Sequence, residues 1–532
     1  MSNYDEVLYE GYAFPQTHPD RLATIASLAG MTPAPVERCR VLEIGCGDGG
    51  NLLPMALTLP ASEFVGIDLG ALHIKKGQDT AARLGLNNLS LLHMDVMELG
   101  EDLGRFDYVI AHGFFSWVPP EPREKALAVC RAHLSPHGVA FVSYNANPGF
   151  HVRRMLREMM LFHTRHITDA REQIGQSKAL LRFLLDAQVK RNAYQTLLRE
   201  EAERISKHAD DHFYHDDLEP FNEPFYFHEF VELAARHGLQ YLGEADYFET
   251  QDTSLSPQGA ERLRQLGDNP VLREQYADFI KCRGFRQTLL CHAEVEPERT
   301  PRASRLKDFY VASAARPAEP EPDVKSSSVV RFEGAHGATV QTDHPLTKAA
   351  ILHLGEHWPR ALHFDQLLAG ARTRLGRDDA GSLRRDEADS LHNADSLSQD
   401  SEALCEVLLR LYGANLVELR THAPRFAAQA SERPLASPLA RLQAQRSEVV
   451  TSLRHTTIRM DDPLARHLLT LLDGNRDRPA LLDALLALAH TGALQLQDQG
   501  QPLNDPARLQ TLLCERIEEN LTNLARHALL VE

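Results

Sequence analysis

Cysteine is sparse in this 532-residue chain, and its spacing suits neither cross-linking nor metal capture. The seven thiols, Cys39, Cys46, Cys130, Cys282, Cys291, Cys405 and Cys514, form no CxxC pair and are odd in number. That pattern supports neither a disulfide framework nor a zinc ribbon, and no metal is expected. Long apolar runs are missing too. No stretch approaches the roughly 18 apolar residues of a membrane span. The N-terminal MSNYDEVLYEGYAF lacks a basic region followed by an apolar one, so it does not read as a signal peptide. The expected address is therefore a thiol-reducing cytoplasm. Positive charge is the third shortage: Lys plus Arg number 57 against 74 Asp plus Glu, a net charge of −17. No run of five Lys/Arg offsets it. Such a surface repels phosphate backbones, so nucleic acid is not the expected partner, whereas a basic protein or peptide is attracted. The oligomeric state stays open.

What is present is an ordinary globular balance, 43% apolar and 25% charged, at a length of three or four domains on a prior of roughly 150 residues each. Residues 39–45 (CRVLEIG), 63–68 (EFVGID), 89–93 (LSLLH), 106–111 (FDYVIA) and 139–144 (VAFVSY) are short, nearly continuous apolar runs separated by stretches of helix length. Runs of this kind predict the buried strands of a parallel sheet in a doubly wound α/β domain. From 150 the texture changes to helical spacing, with one or two long helices over 174–209, and then to an acidic, aromatic segment at 208–226. A helix at 227–237 ends at Gly238, and strands are expected at 240–248 and 286–293.

The strongest chemical signal is VLEIGCGDGGN at 41–51, which follows a strand and opens a helix. Gly45, Gly47 and Gly49 allow a sharp turn and a close approach to a ligand, and the helix beyond offers free N–H groups. Glycine spacing alone is shared with pyridine-dinucleotide folds. Glu43 stands two residues before the first glycine. Asp68 ends the second strand, where a carboxylate can take both hydroxyls of a ribose. Asp95 follows the third strand, placed to reach an adenine edge.

This combination resembles the class I S-adenosylmethionine-dependent methyltransferases, whose E/D-x-G-x-G-x-G loop stands here as Glu43 to Gly49. The resemblance implies a Rossmann-like, seven-stranded domain that binds S-adenosylmethionine through Glu43, Gly45, Cys46, Gly47, Gly49, Asp68 with Leu69, Asp95 with Val96, and His112. Further segments, YDEVLYEGYAFPQTHPDRLATIASLAGM at 4–31, HGFFSWVP at 112–119, SYNANPGF at 143–150, FHEF at 227–230 and RQTLLC at 286–291, are similar to bacterial methyltransferases with a methyltransferase regulatory domain. These include the rickettsial-type protein lysine methyltransferases that act on outer-membrane protein. The similarity covers about residues 1–300 and continues more weakly. Where that family has Tyr in its HGxYSWV element, this chain has Phe115. The [DNS]-P-P-[YF] signature of exocyclic-amine methyltransferases is absent after the fourth strand.

By the switch-point rule the acceptor side lies at the carboxyl ends of strands four and five. Phe115, Trp117, Tyr144 and Asn145 are the candidate acceptor-binding residues, and Tyr144, Asn145 and His112 the candidate catalytic ones. Plain core packing is the competing reading for the aromatics. A lysine acceptor has a reference pKa near 10.4 and must lose a proton; burial assists that, and a hydroxyl or amide oxygen can orient the lone pair. The acidic segment at 210–223 reads either as a recruiter of basic substrate or as a solvated loop.

The expected organisation is a cofactor-binding core at 1–149, a helical cap insertion at 150–226 and a regulatory region completing the sheet at 227–295. A Pro-rich linker at 296–328 follows. Residues 329–426 read as a winged-helix-like domain with a disordered loop at 376–402, and 438–532 as a second helical, winged-helix-like domain. Neither C-terminal unit is basic, so docking of protein is expected of them rather than DNA binding, with no share in the chemistry. The expected activity is methyl transfer to protein lysine. A small-molecule or natural-product methyltransferase and a non-catalytic S-adenosylmethionine-sensing adaptor are the alternatives.

Overall fold

A computed structural model describes the chain except residues 1–10, 188–191, 253–254, 268, 378–386, 499–500 and 503–504. The first seven residues of the 4–31 segment and the centre of the expected 376–402 loop lie outside the described residues. After α1 (Pro19–Leu28), the chain alternates β1 (Arg40–Ile44), α2 (Leu52–Thr58), β2 (Glu63–Asp68), α3 (Ala71–Leu84), β3 (Leu89–His93), β4 (Phe106–Ala111), α4 (Pro120–His133) and β5 (Leu134–Asn145). Four helices follow, α5 (Phe150–Thr164), α6 (Ala170–Asp186), α7 (Ala193–Ser206) and the short α8 (Asp210–Phe213), which runs into a π-turn at Tyr214–Leu218. Then α9 (Phe227–Arg236), β6 (Leu239–Glu244), α10 (Pro257–Arg264), α11 (Pro270–Lys281) and β7 (Phe285–His292) close the N-terminal half.

The sheet order is β3-β2-β1-β4-β5-β7-β6. The five N-terminal strands are parallel, and β7 enters antiparallel between β5 and β6. Strand order reverses between β1 and β4, so the carboxyl ends there open into a crevice. The sheet is apolar on both faces: Val41, Phe64, Tyr108 and Phe141 pack on one side, Leu42, Ile44, Val109 and Val142 on the other. The cap helices have a core of their own around Leu156, Met160, Leu181, Leu198 and Phe213. Two helices, α6 and α7, occupy the expected 174–209 stretch, because Asp169 and Asn192 each cap a start by accepting from a backbone N–H of the first turn, and α5 packs against them.

The expected linker at 296–328 is corrected. Its centre holds a 3-10 turn at Ala303–Asp308 and β8 (Tyr310–Ala312), with Leu306, Phe309 and Val311 buried. Pro, Glu, Arg, Ala and Ser dominate its composition and mask a short apolar run that is enough for one strand. After β9 (Arg316–Pro317), β10 (Val330–Glu333) and β11 (Thr339–Thr342) come α12 (Pro345–His357), β12 (Leu362–His363), α13 (Phe364–Leu375), α14 (Glu387–Gly413) and β13 (Glu418–Arg420). The α14 helix corrects the other part of the expected loop: residues 387–402 are its first half, propagated backwards from a buried end at Leu404, Leu408 and Leu411.

A linker at 296–328 would let the C-terminal half fold apart from the N-terminal one, and the structure instead joins the two. β8 pairs on one side with β12 and on the other with β13. A single apolar cluster runs from Leu22, Val41 and Phe141 through Phe309 and Val311 to Leu354, Leu408 and Leu419. Asp20, 2% exposed, accepts from Arg420, Thr421 and His422. The last unit has its own core around Leu468, Leu485, Leu513 and Leu524. It comprises α15 (Pro438–Ala444), a hairpin of β14 (Val449–Thr451) and β15 (Thr457–Arg459), α16 (Pro463–Leu471), α17 (Arg478–His490), β16 (Gln497–Asp498), β17 (Gln501–Pro502) and α18 (Pro506–Arg526). Among the described residues no helix is long and apolar enough to cross a membrane.

Candidate functional site

β1 ends at the glycine loop, and the loop ends where α2 begins. At Gly47 φ is +55° and a Cβ would meet no atom within 4 Å, so glycine is required there by backbone conformation rather than by crowding. Gly50 is required by crowding: a Cβ there would come within 2.3 Å of the Gly11 backbone. Residues 11–17 therefore lie as a strap directly over the loop. Tyr12 and Phe14 of the strap join the loop in lining a cavity of about 1000 Å³ at the carboxyl ends of β1, β2, β4 and β5.

Three carboxyl side chains define one end of this cavity. Asp68 accepts from Gly47 N (2.8 Å) and Gly70 N (2.7 Å), which stiffens the loop and leaves its other lone pairs for a ligand. Asp95 accepts from Met97 N at 2.9 Å. Glu43 is 3% exposed; its Oε1 accepts from Asn51 Nδ2 at 2.8 Å, while its buried Oε2 has no partner. Burial pushes the Glu43 pKa up to about 8 against the lowering effect of the Asn51 bond, and Asp68 adds to the rise. A cationic group is what this carboxyl lacks.

His112 stands between Phe14 (ring centroids 4.2 Å apart) and Phe141, with Nδ1 2.9 Å from Ser143 Oγ. Burial lowers its pKa to about 4, so the imidazole is neutral near pH 7. Trp117 lines the cavity beneath the Arg157 guanidinium (5.4 Å). Asn145 lines it too, with a buried Nδ2 that has no partner. The opposite wall belongs to the cap: Arg153 on α5, Glu201 and Arg204 on α7, and Asp216 in the π-turn. Arg153 Nε binds the fully buried Asp217 at 2.7 Å, and Arg123 binds Glu223 at 2.8 Å, so much of the acidic segment is neutralised from within. Among the described residues no group of three or more His, Cys, Asp or Glu is placed to hold a metal ion.

Of the residues singled out by sequence, Glu43, Gly45, Cys46, Gly47, Asp68, Leu69, Asp95, Val96, His112, Trp117 and Asn145 face this one cavity. Three do not. Gly49 shapes the turn beneath it, where a Cβ would stand 2.9 Å from Leu91 Cδ1. Tyr144 is corrected from an acceptor residue to a core residue: it is 1% exposed, stacked on Phe230 (4.1 Å), with its hydroxyl 3.3 Å from Thr288 Oγ1. Phe115 is corrected likewise, fully buried against Phe225 and Phe230, while its neighbour Phe114 takes the cavity side. The strap, Asn51, Phe285 and the cap residues escaped sequence reasoning. Asn51 was within sight, as the last residue of the glycine segment.

Comparison with known proteins gives three family models along the chain: a methyltransferase domain over residues 41–138, a "Predicted methyltransferase regulatory domain" over 209–292, and a "PKMT, C-terminal winged helix domain" over 432–529. An uncharacterized protein of Rickettsia prowazekii (strain Madrid E) is 32% identical over 536 residues, covering 99% of this chain and 93% of its own. Another from the same organism is 39% identical over 241 residues, covering 45% of this chain and 96% of its own. The structure of PKMT2 from Rickettsia typhi in complex with AdoHcy superposes with a TM-score of 0.87 at 30% identity, covering 98% of this chain and all of that one.

Proposed function

Because this chain belongs to the family of S-adenosylmethionine-dependent methyltransferases that includes Rickettsia typhi PKMT2, we propose that it transfers methyl groups to lysine side chains of a protein acceptor. The observation that carries the reading is the lining of the cavity. Five carboxylates, Asp48, Asp68, Asp95, Glu201 and Asp216, outnumber the three cations paired with some of them, Lys76, Arg153 and Arg204, between walls that include Trp117, Phe114 and Phe285, while the buried Glu43 is held largely protonated. An acidic, aromatic-walled cavity favours a cationic acceptor over a phosphate-bearing one.

The residues fit the cofactor. The glycine loop gives it backbone room, Asp68 and Asp95 offer acceptor atoms, and the unpartnered Glu43 Oε2 suits an ammonium. S-adenosylmethionine supplies a methyl group already activated on a sulfonium. The chain's own work is then alignment, exclusion of water and management of charge. Phe14 and Trp117 narrow the space, and the cap covers it. His112, held neutral by burial, adds no positive charge to a pocket that must take two cations. The acceptor ammonium loses its proton more readily in this partly desolvated space, and Asn145 presents an unsatisfied N–H with which to hold the acceptor chain.

Incubation of the full chain with isotopically labelled cofactor and lysine-containing proteins, read by mass spectrometry, should place label on lysine side chains. Label confined to small molecules would favour the natural-product alternative, and tight cofactor binding without transfer the adaptor. Asn145→Ala is expected to lower kcat 10- to 100-fold while the Kd for S-adenosylmethionine stays within threefold. Tyr144→Phe provides the contrast from the opposite face of the same strand. Losing the bond to Thr288 should cost about 1 kcal/mol of stability and leave kcat within about twofold.

A further inference from the structure

The hairpin of the last unit reaches the glycine loop. Its turn, residues 452–456, is tightly braced: Ser452 Oγ lies 2.6 Å from Thr456 Oγ1, and His455 N donates to Ser452 O at 3.0 Å. Arg454 anchors the turn to the middle of the chain, donating to both carboxylate oxygens of Glu418 at 2.6 Å and lying over Trp358. At the tip, His455 is 4% exposed and has a φ of +58°, a left-handed conformation unusual for a side chain of its size. Its Nε2 is 2.9 Å from Asn51 Oδ1.

Asn51 thereby uses its whole hydrogen-bonding capacity. Oδ1 accepts from Phe14 N (3.1 Å) and His455 Nε2, and Nδ2 donates to Thr17 Oγ1 (2.9 Å) and Glu43 Oε1 (2.8 Å). One amide joins the strap, the loop carboxyl and a residue 404 positions away. Because Oδ1 can only accept, His455 carries a hydrogen on Nε2, as in the neutral Nε2–H tautomer. Burial, helped by Arg420, lowers its pKa to about 3, in keeping with that form. A second bond, Thr457 Oγ1 to Ala13 O (3.1 Å), holds the strap from the same hairpin.

We propose that His455 is a positioning residue for cofactor binding: from the C-terminal unit it fixes the Asn51 amide, and through it Glu43 and the strap at 11–17, in the geometry that accepts S-adenosylmethionine. The inference rests on the reading of the cavity as the cofactor site. It gives the C-terminal unit a share in cofactor affinity, although among the described residues none of that unit lines the cavity.

The test is calorimetric titration of S-adenosylhomocysteine into the full-length wild-type chain, His455→Asn, His455→Gln and Asn51→Ala, with thermal unfolding of each. Asparagine tolerates a left-handed backbone but is too short to reach Asn51; glutamine places an N–H near the position of Nε2. His455→Asn should raise Kd tenfold or more, and His455→Gln should restore it to within threefold of wild type. The double variant with Asn51→Ala should bind no more weakly than Asn51→Ala alone. Wild-type affinity in His455→Asn would overturn the proposal, as would losses in both His455 variants that merely follow their drop in Tm. So would additive losses in the double variant. A wild-type chain that binds neither S-adenosylhomocysteine nor S-adenosylmethionine would overturn the reading of the cavity itself.

Discussion

Asp68→Ala is expected to weaken S-adenosylmethionine binding at least 100-fold while the protein unfolds within a few degrees of wild type. The carboxylate accepts two backbone N–H groups, from Gly47 and Gly70, and faces the cavity. Two carboxylate oxygens carry about four lone-pair sites, so two remain for ligand hydroxyls. Hydrogen bonds to a charged group contribute about 1.5–3 kcal/mol each. Two of them sum to at least about 3 kcal/mol, which is about 100-fold in Kd. The fold loses far less, because the freed N–H groups border the cavity, where water can bind them. Asp68→Asn should fall between the two, since its amide keeps one acceptor oxygen but turns an NH2 toward one of those N–H groups. Calorimetry with circular dichroism decides it. An affinity within threefold of wild type in Asp68→Ala would remove this carboxylate from the cofactor site.

The sheet and the glycine loop were legible because their signals are local. Continuous apolar runs spell buried parallel strands, and glycines after the first of them spell the turn. What escaped has a period or a distance that local reading does not resolve. Tyr144 and Asn145 end the same strand, and the two-residue repeat of a strand sends them to opposite faces, so only one can face the cavity. Phe114 and Phe115 also divide, one lining the cavity and one fully buried, but in the turn after β4, where no strand repeat sets their sides. The 296–328 segment reads as a linker because Pro and Glu outnumber the few residues that matter, Leu306, Phe309 and Val311. Asp20 with Arg420, and Asn51 with His455, meet across about 400 residues. Nothing in the neighbourhood of either residue in the sequence announces its partner.

A chain ended at residue 325 is expected to lose both cooperative folding and cofactor binding, the reverse of what a linker there would allow. β8 would keep its sequence and lose both its neighbours, since Val311 pairs with Leu362 of β12 and with Leu419 of β13. Leu306, Phe309 and Val311 would be uncovered, together with the side of α1 that packs on β13. Each such side chain contributes about 1.5–3 kcal/mol by burial. Four or five of them amount to the whole stability of a typical domain, about 5–15 kcal/mol. Asp20 would be left without Arg420 and Thr421, a further penalty for a carboxylate placed in the interior. A chain ended at residue 430 should behave differently. It keeps β12, β13 and the shared core, and removes a unit whose own core is centred on Leu468, Leu485 and Leu513. That shorter chain should remain soluble and unfold cooperatively, yet bind S-adenosylmethionine about tenfold more weakly, because His455 no longer holds Asn51. Soluble expression, thermal unfolding and calorimetry distinguish the outcomes. Wild-type affinity in the chain ended at 325 would show that the N-terminal half stands alone and that the continuous core contributes little to it.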